Sequence, residues 1–212
     1  MTAVPDRPAV GRPGPGQAGR RAILEAAARA FARRGYLATT IDAIADDLGS
    51  TKGRIYHYYR SKPEVFLAVV VAGMHDLIDE MEPLSRGGRP SERLHAMARR
   101  HAELMMVQHS AQRVSVQAVE MRTVPELAAH RDLLATSLEL RRRYEQLFVD
   151  VVEEGVAAGE LEADDTRLAV RSVLGALNWI PIWWDPDRPE GATEVSRVAE
   201  RLARFVVRGL RP

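Results

Sequence analysis

Between Ser50 and Lys62 the chain carries a close-set group of side chains suited to gripping a polyanion: Ser50, Thr51, Lys52, Gly53, Arg54, Tyr56, His57 and Lys62. A lysine supplies a compact charge for phosphate, and the planar guanidinium of Arg54 can donate two parallel hydrogen bonds to O6 and N7 of a guanine in a major groove. Gly53 has no side chain to hold the backbone away from DNA. Tyr56 and His57 bring a hydroxyl and ring nitrogens within reach of phosphates. Lys62, at a helix start, adds its charge to free backbone N–H groups. Just upstream, Thr39 and Thr40 offer two more hydroxyls, which can cap a helix or meet the same backbone. Arg54 is the leading candidate for reading a base.

These groups can act together only if short helices present them. Ile23, Ala27, Ala30 and Phe31 recur at helical spacing from Arg20 onward, and Gly35 stands where a helix stops. Ile41, Ile44, Ala45 and Leu48 form a second, short apolar stripe ending at Gly49, and Thr51 can cap a third helix running to about Tyr58. Ser61, Lys62, Pro63 and Glu64 then combine a capping box with proline in a first turn. A supporting helix, a tight turn at Gly49 and a helix whose polar end faces outward make a helix-turn-helix over residues 40–58.

Composition agrees with a two-part chain. Residues 1–60 hold ten Lys/Arg against five Asp/Glu, although the net charge of all 212 residues is only +1. A basic front on a nearly neutral body fits a polyanion-binding module, although charge alone would equally permit a membrane surface or a merely solvated face. There is no cysteine, which excludes disulfides and zinc-thiolate sites, and no apolar run reaches the roughly 18 residues that would span a bilayer. No membrane partner and a cytoplasmic location are expected. Residues 1–19, rich in proline and glycine, read as a flexible tail, residues 20–64 as the DNA-binding domain, and residues 65–212 as a helical body. Helices are expected at about 91–108, 111–122, 126–157, 165–184 and 193–209, so the fold class is all-α.

The segments Thr39-Thr40-Ile41-Asp42-Ala43-Ile44-Ala45 and Lys52-Gly53-Arg54-Ile55-Tyr56-His57-Tyr58-Tyr59-Arg60-Ser61-Lys62 resemble the signature of the TetR family of transcriptional regulators. The likeness covers roughly residues 20–67. It implies a homodimer, usually a repressor, with a three-helix domain for double-stranded operator DNA and a divergent helical domain for a small-molecule effector.

In the body, two apolar stripes could form a dimer seam: Val170, Val173, Leu174 and Leu177, and Val195, Val198, Leu202, Phe205 and Val206. Stripe evidence alone divides evenly between such a seam and an ordinary core. His101, Met105, Met106, His109 and Met121 are candidates for an adaptable apolar pocket, although core packing is the more usual role of such methionines. Trp179, Trp183 and Trp184 cluster around Pro181, which removes a helical hydrogen bond and can open space beside large aromatic walls, so Asn178, Trp179 and Trp183 join the pocket candidates. The run Gly175-Ala176-Leu177-Asn178-Trp179-Ile180-Pro181-Ile182-Trp183-Trp184, followed by Asp185-Pro186-Asp187, is similar to the C-terminal region of a TetR subgroup that includes regulators of steroid and fatty-acid catabolism. That likeness implies an acyl-coenzyme A thioester as effector. Pro181 and Ile182 depart from the aromatic and basic residues of the pattern.

Other function classes fare worse. No H-E-x-x-H pair, G-x-S-x-G elbow or phosphate loop is present, and His95, His101 and His109 lack metal-site spacing, so no catalytic residue, metal or cofactor is expected. Glu153-Glu154 and Asp164-Asp165 read as solvent-facing charges or caps. The remaining rival is a helical dimeric protein-interaction module, which would be indifferent to DNA.

Overall fold

In the computed structural model, which describes residues 15–121, 124–187 and 191–211, the chain is helical throughout the described residues. The first stripe folds as α1 (Pro15–Ala38), interrupted at Gly35, whose φ of 76° only glycine adopts readily. Helices α2 (Ile41–Leu48), α3 (Lys52–Tyr58) and α4 (Lys62–Met81) follow. Local chemistry sets their ends. The Ala43 N–H donates to the Thr40 hydroxyl at 3.1 Å, Gly49 closes α2 in the left-handed region at φ 65°, and the Glu64 N–H donates to Ser61 Oγ at 3.3 Å.

Helix α1 starts earlier than expected. Residues 15–19 are the first turns of α1, and residues 1–14 lie outside the described residues. The reason is tertiary: Gly19 is buried beside Tyr58, where a Cβ would stand 2.8 Å from the tyrosine hydroxyl, so a small residue lets the start of α1 pack on α3.

Beyond a turn lie α5 (Pro90–Val107) and α6 (His109–Met121). The helix expected over 126–157 is two, α7 (Pro125–Ala128) and α8 (Arg131–Ala157), broken at His130 (φ −92°, ψ 57°), whose ring reaches Ser61 at 3.2 Å. The helix expected over 165–184 is also two, α9 (Thr166–Asn178) and α10 (Ile180–Trp183). Pro181 has no N–H to offer the carbonyl of Leu177, and the turn is instead anchored by His109, whose Nε2 donates to the Pro181 carbonyl at 2.9 Å. Helix α11 (Gly191–Arg208) completes the chain and packs along α5.

Two apolar clusters hold these helices together. Ile23, Phe31, Tyr36, Ile44, Ile55 and Phe66 centre the amino-terminal one, with Phe66 edge-on to Phe31 at 5.1 Å and to Tyr36 at 4.9 Å. The other joins α5, α8, α9 and α11 through residues such as Leu94, Met97, Phe148, Val152 and Leu177. Helix α4 belongs to both: Val65 to Val70 sit in the first and Met74 to Met81 in the second. One continuous helix thus joins the two halves.

Candidate nucleic-acid interface and interior cavity

The helix-turn-helix presents its polar end as its sequence requires. Ile55 is fully buried and Tyr59 nearly so, which fixes the inner face of α3 against α1 and leaves Thr51, Lys52, Gly53, Arg54, Tyr56 and His57 exposed. Thr51 precedes α3 in extended geometry with its hydroxyl uncommitted to a cap, and Ser50 is half-buried at the turn. Lys52 pairs with Asp42 at 3.4 Å, but both side chains are largely in water, so the pair is weak enough to give way to a phosphate. Arg33 and Arg34, both paired to Asp47, brace α1 to α2 behind this face.

Two expected contacts are corrected. Thr39 is fully buried, and its hydroxyl donates to the Gly35 carbonyl at 2.7 Å and to that of Ala30 at 3.3 Å, so it ties off α1 and cannot face DNA. Lys62 is half-buried and turned inward: Nζ donates to the Tyr36 carbonyl at 3.1 Å and lies 4.3 Å from the centre of the Tyr36 ring. Its charge helps fix the α1–α2 turn, so any phosphate contact would come from its helix end. Thr40 remains exposed while capping α2.

The body holds a half-open cavity of about 370 Å³ lined from α4, α5, α6, α8 and α9. Of the pocket residues expected from sequence, His101, Met105, Asn178 and Trp179 line it, and four do not. Met106 is buried in the core on another face of α5, His109 holds the α10 turn, Met121 packs against the amino-terminal cluster, and Trp183 is exposed with its edge toward Trp184. Sequence reasoning missed Gln112, Ser115, Arg141, Tyr144 and Arg171. Arg141 carried a signal in retrospect, since it stands beside the inward stripe Leu140–Tyr144–Phe148 of α8.

The polar lining is unusual. His101 is fully buried, and its Nδ1 is 2.6 Å from the Tyr144 hydroxyl. Burial pushes the His101 pKa down to about 4 against an opposing pull from nearby Asn178, so the ring is neutral at neutral pH. No hydrogen bond of acceptable geometry reaches its Nε2. Burial also holds the Tyr144 hydroxyl protonated and lowers the pKa of Arg141. Arg171, nearer the surface, pairs with Glu145 at 3.0 Å.

The expected dimer seam needs the largest correction. Val170, Val173, Leu174, Leu177 and Val206 are buried within their own protomer, with Leu174 also lining the cavity, and Val195, Val198 and Leu202 pack partly against the same core. An amphipathic stripe first satisfies the nearest core, and here that core is intramolecular. Of these residues only Phe205, 73% exposed, points outward. It stands at a groove shared by α9 and α11, with Ser172 and Ala176 on the opposite wall.

Comparison with known proteins places this geometry. Residues 23–69 match the family described as bacterial regulatory proteins, tetR family, and residues 87–210 match the tetracyclin repressor-like C-terminal domain. The chain is 32% identical to the HTH-type transcriptional repressor KstR2 of Rhodococcus jostii (strain RHA1), over 92% of this chain and 93% of that one. It is 24% identical to the fatty acid metabolism regulator protein of Bacillus subtilis (strain 168), over 76% and 81% of the two. The structure of AibR in complex with isovaleryl coenzyme A and operator DNA superposes with a TM-score of 0.69 at 26% identity, over 92% of this chain and 98% of AibR. An exposed basic helix-turn-helix on a hollow helical body, matched along nearly its whole length, makes this chain a member of the TetR family of DNA-binding transcriptional regulators.

Proposed function

We propose that this chain is a repressor that holds a palindromic operator as a homodimer and is released by a small apolar effector, the acyl group of an acyl-coenzyme A thioester, bound in the 370 Å³ cavity. The observation that carries this reading is where the cavity lies. Its walls include Met74 and Leu77 of α4 and Gln112 to Val119 of α6, and both helices also pack on α1 of the DNA-binding domain. Gln117 of α6 donates to the Phe31 carbonyl at 3.3 Å, and Tyr36 donates to Glu126 of α7 at 3.2 Å, so the two halves are also joined by polar contacts.

An effector releases DNA only if it binds the released geometry more tightly than the DNA-competent one. A guest that pushes α6 from Met74 would tilt α4, whose first turn lies about 18 Å away along the axis at 1.5 Å per residue. That tilt changes the separation of two recognition helices that must meet half-sites about 34 Å apart. The cavity is large enough for an acyl group but not for a whole coenzyme A, whose remainder would leave through the opening beside exposed Val119, Glu120 and Trp179. The likeness to AibR supports a thioester.

For the dimer, the outward stripe of α9 replaces the buried one: Leu168, Ser172, Gly175 and Ala176, continued by Phe205 on α11. Small residues there permit close helix approach across a two-fold axis. In the proposed contact these helices form a four-helix seam. Gel-shift titration with a panel of long-chain and steroid-derived thioesters tests the effector: at least one should free the operator and raise thermal stability. Failure of every thioester to change either would refute it.

A further inference from the structure

One buried polar atom lining the cavity has no hydrogen-bond partner, and a cation beside it has no counter-ion among the described residues. His101 Nε2 is buried without a hydrogen bond. The Arg141 guanidinium, on the next turn of α8 from Tyr144, makes one long contact to the Ser115 carbonyl at 3.4 Å, and no carboxylate pairs with it among the described residues. A buried polar atom without a partner costs more than a made hydrogen bond gains, so His101 Nε2 calls for an occupant, and the half-buried Arg141 guanidinium stands where it could share it.

The proton on His101 can be placed by counting. The Tyr144 hydroxyl has one hydrogen, and the nearest acceptor is Nδ1 at 2.6 Å. If the phenol donates, one group is left short, the Nε2–H, with only the poorly aligned Asn178 amide near it, and the pull of that amide on the ring is the one a donor at Nε2 would feel. If the imidazole donates instead, both the phenol hydrogen and a bare Nε2 are stranded. The first arrangement wins, so His101 faces the cavity as a donor. Met74, Leu77, Met105 and Leu174 give the cavity an apolar wall, and Gln112, Ser115, Glu120 and Glu145 add polar groups to its lining.

Resting on the effector reading above, we propose that the effector is an apolar molecule bearing a carbonyl or carboxylate oxygen, and that the Nε2–H of His101 and the guanidinium of Arg141 donate to that oxygen. Tyr144 is a positioning residue that fixes the tautomer of His101.

The test titrates the full-length protein with octanoate, 2-octanone and 2-octanol, read by calorimetry and by Trp fluorescence, since Trp179 lines the cavity. The ketone should bind on the order of 10-fold tighter than the alcohol, whose own hydrogen must turn away from the two donors. If the oxygen is anionic, octanoate binds tightest and Arg141→Gln removes that advantage while keeping the ketone preference. If it is an uncharged carbonyl, ketone and octanoate bind alike. Tyr144→Phe frees the imidazole to change tautomer, so the preference for ketone over alcohol should collapse, whereas a merely structural defect would weaken all probes equally. Equal binding of ketone and alcohol to the unaltered protein, with binding intact, overturns this assignment and leaves the cavity as the effector site. Binding of none overturns this assignment, and the thioester titration above then decides the effector reading separately.

Discussion

Replacing Thr39 by valine separates two roles that its position beside the DNA-binding surface would otherwise confuse. The side chain is fully buried, and its hydroxyl donates to Gly35 at 2.7 Å and Ala30 at 3.3 Å. Valine fills nearly the same volume but can make neither bond. The Gly35 carbonyl is only partly buried and can turn to water, so the loss should be about 1–2 kcal/mol, the range for a made hydrogen bond replaced by partial solvation. For a chain of this size that is a fall in Tm of roughly 2–8 °C. The assay pairs thermal unfolding with operator affinity measured well below the transition. Thr39→Val should lower Tm and leave Kd within about two-fold, because the folded face it supports is unchanged. An unchanged Tm with operator binding weakened about ten-fold would refute the reasoning and return Thr39 to the DNA interface.

Lys52→Ala should weaken binding to specific and random duplexes alike and reduce the salt slope by about one, while Arg54→Ala should cost about 1–3 kcal/mol and relax sequence preference, both visible in gel-shift titrations across ionic strength. His101 gives a pH signature. Its folded pKa of about 4 lies below the ordinary histidine value, so its contribution is fully present above pH ~6.5 and is lost as pH falls toward 4, by roughly 3 kcal/mol in all. Denaturant unfolding between those pH values should therefore show a shallower slope in His101→Gln than in the parent protein. Phe205→Asp places a charge on the proposed seam at a site 73% exposed in the protomer, so sedimentation should shift toward monomer while helix content is retained.

The amino-terminal half was readable because its determinants are local. Thr40 caps α2, Gly49 turns the chain and Ser61 opens α4 within three or four residues of the groups they serve, and the inward side chains Ile44 and Ile55 recur at helical spacing. The cavity was not readable, because it depends on which faces of five helices meet. Met105 and Met106 are neighbours in sequence and both buried, yet only Met105 reaches the cavity, since adjacent helical residues point about 100° apart. Arg141 and Gln112 line it from different helices, 29 positions apart in the chain, and nothing in either local pattern marks the meeting. The stripes of α9 and α11 show a further limit. Periodicity says that Val170, Val173 and Leu177 are covered, but not by which chain, and here their own protomer covers them.

The most direct measurement is selection of genomic fragments by the purified protein across a range of salt, with the bound sites sequenced. The account predicts a palindromic site whose half-site centres lie one helical turn, about 34 Å, or a multiple of it apart, bound with a salt slope that falls in Lys52→Ala. Enrichment of a single half-site, or salt-sensitive binding without sequence preference, would contradict it.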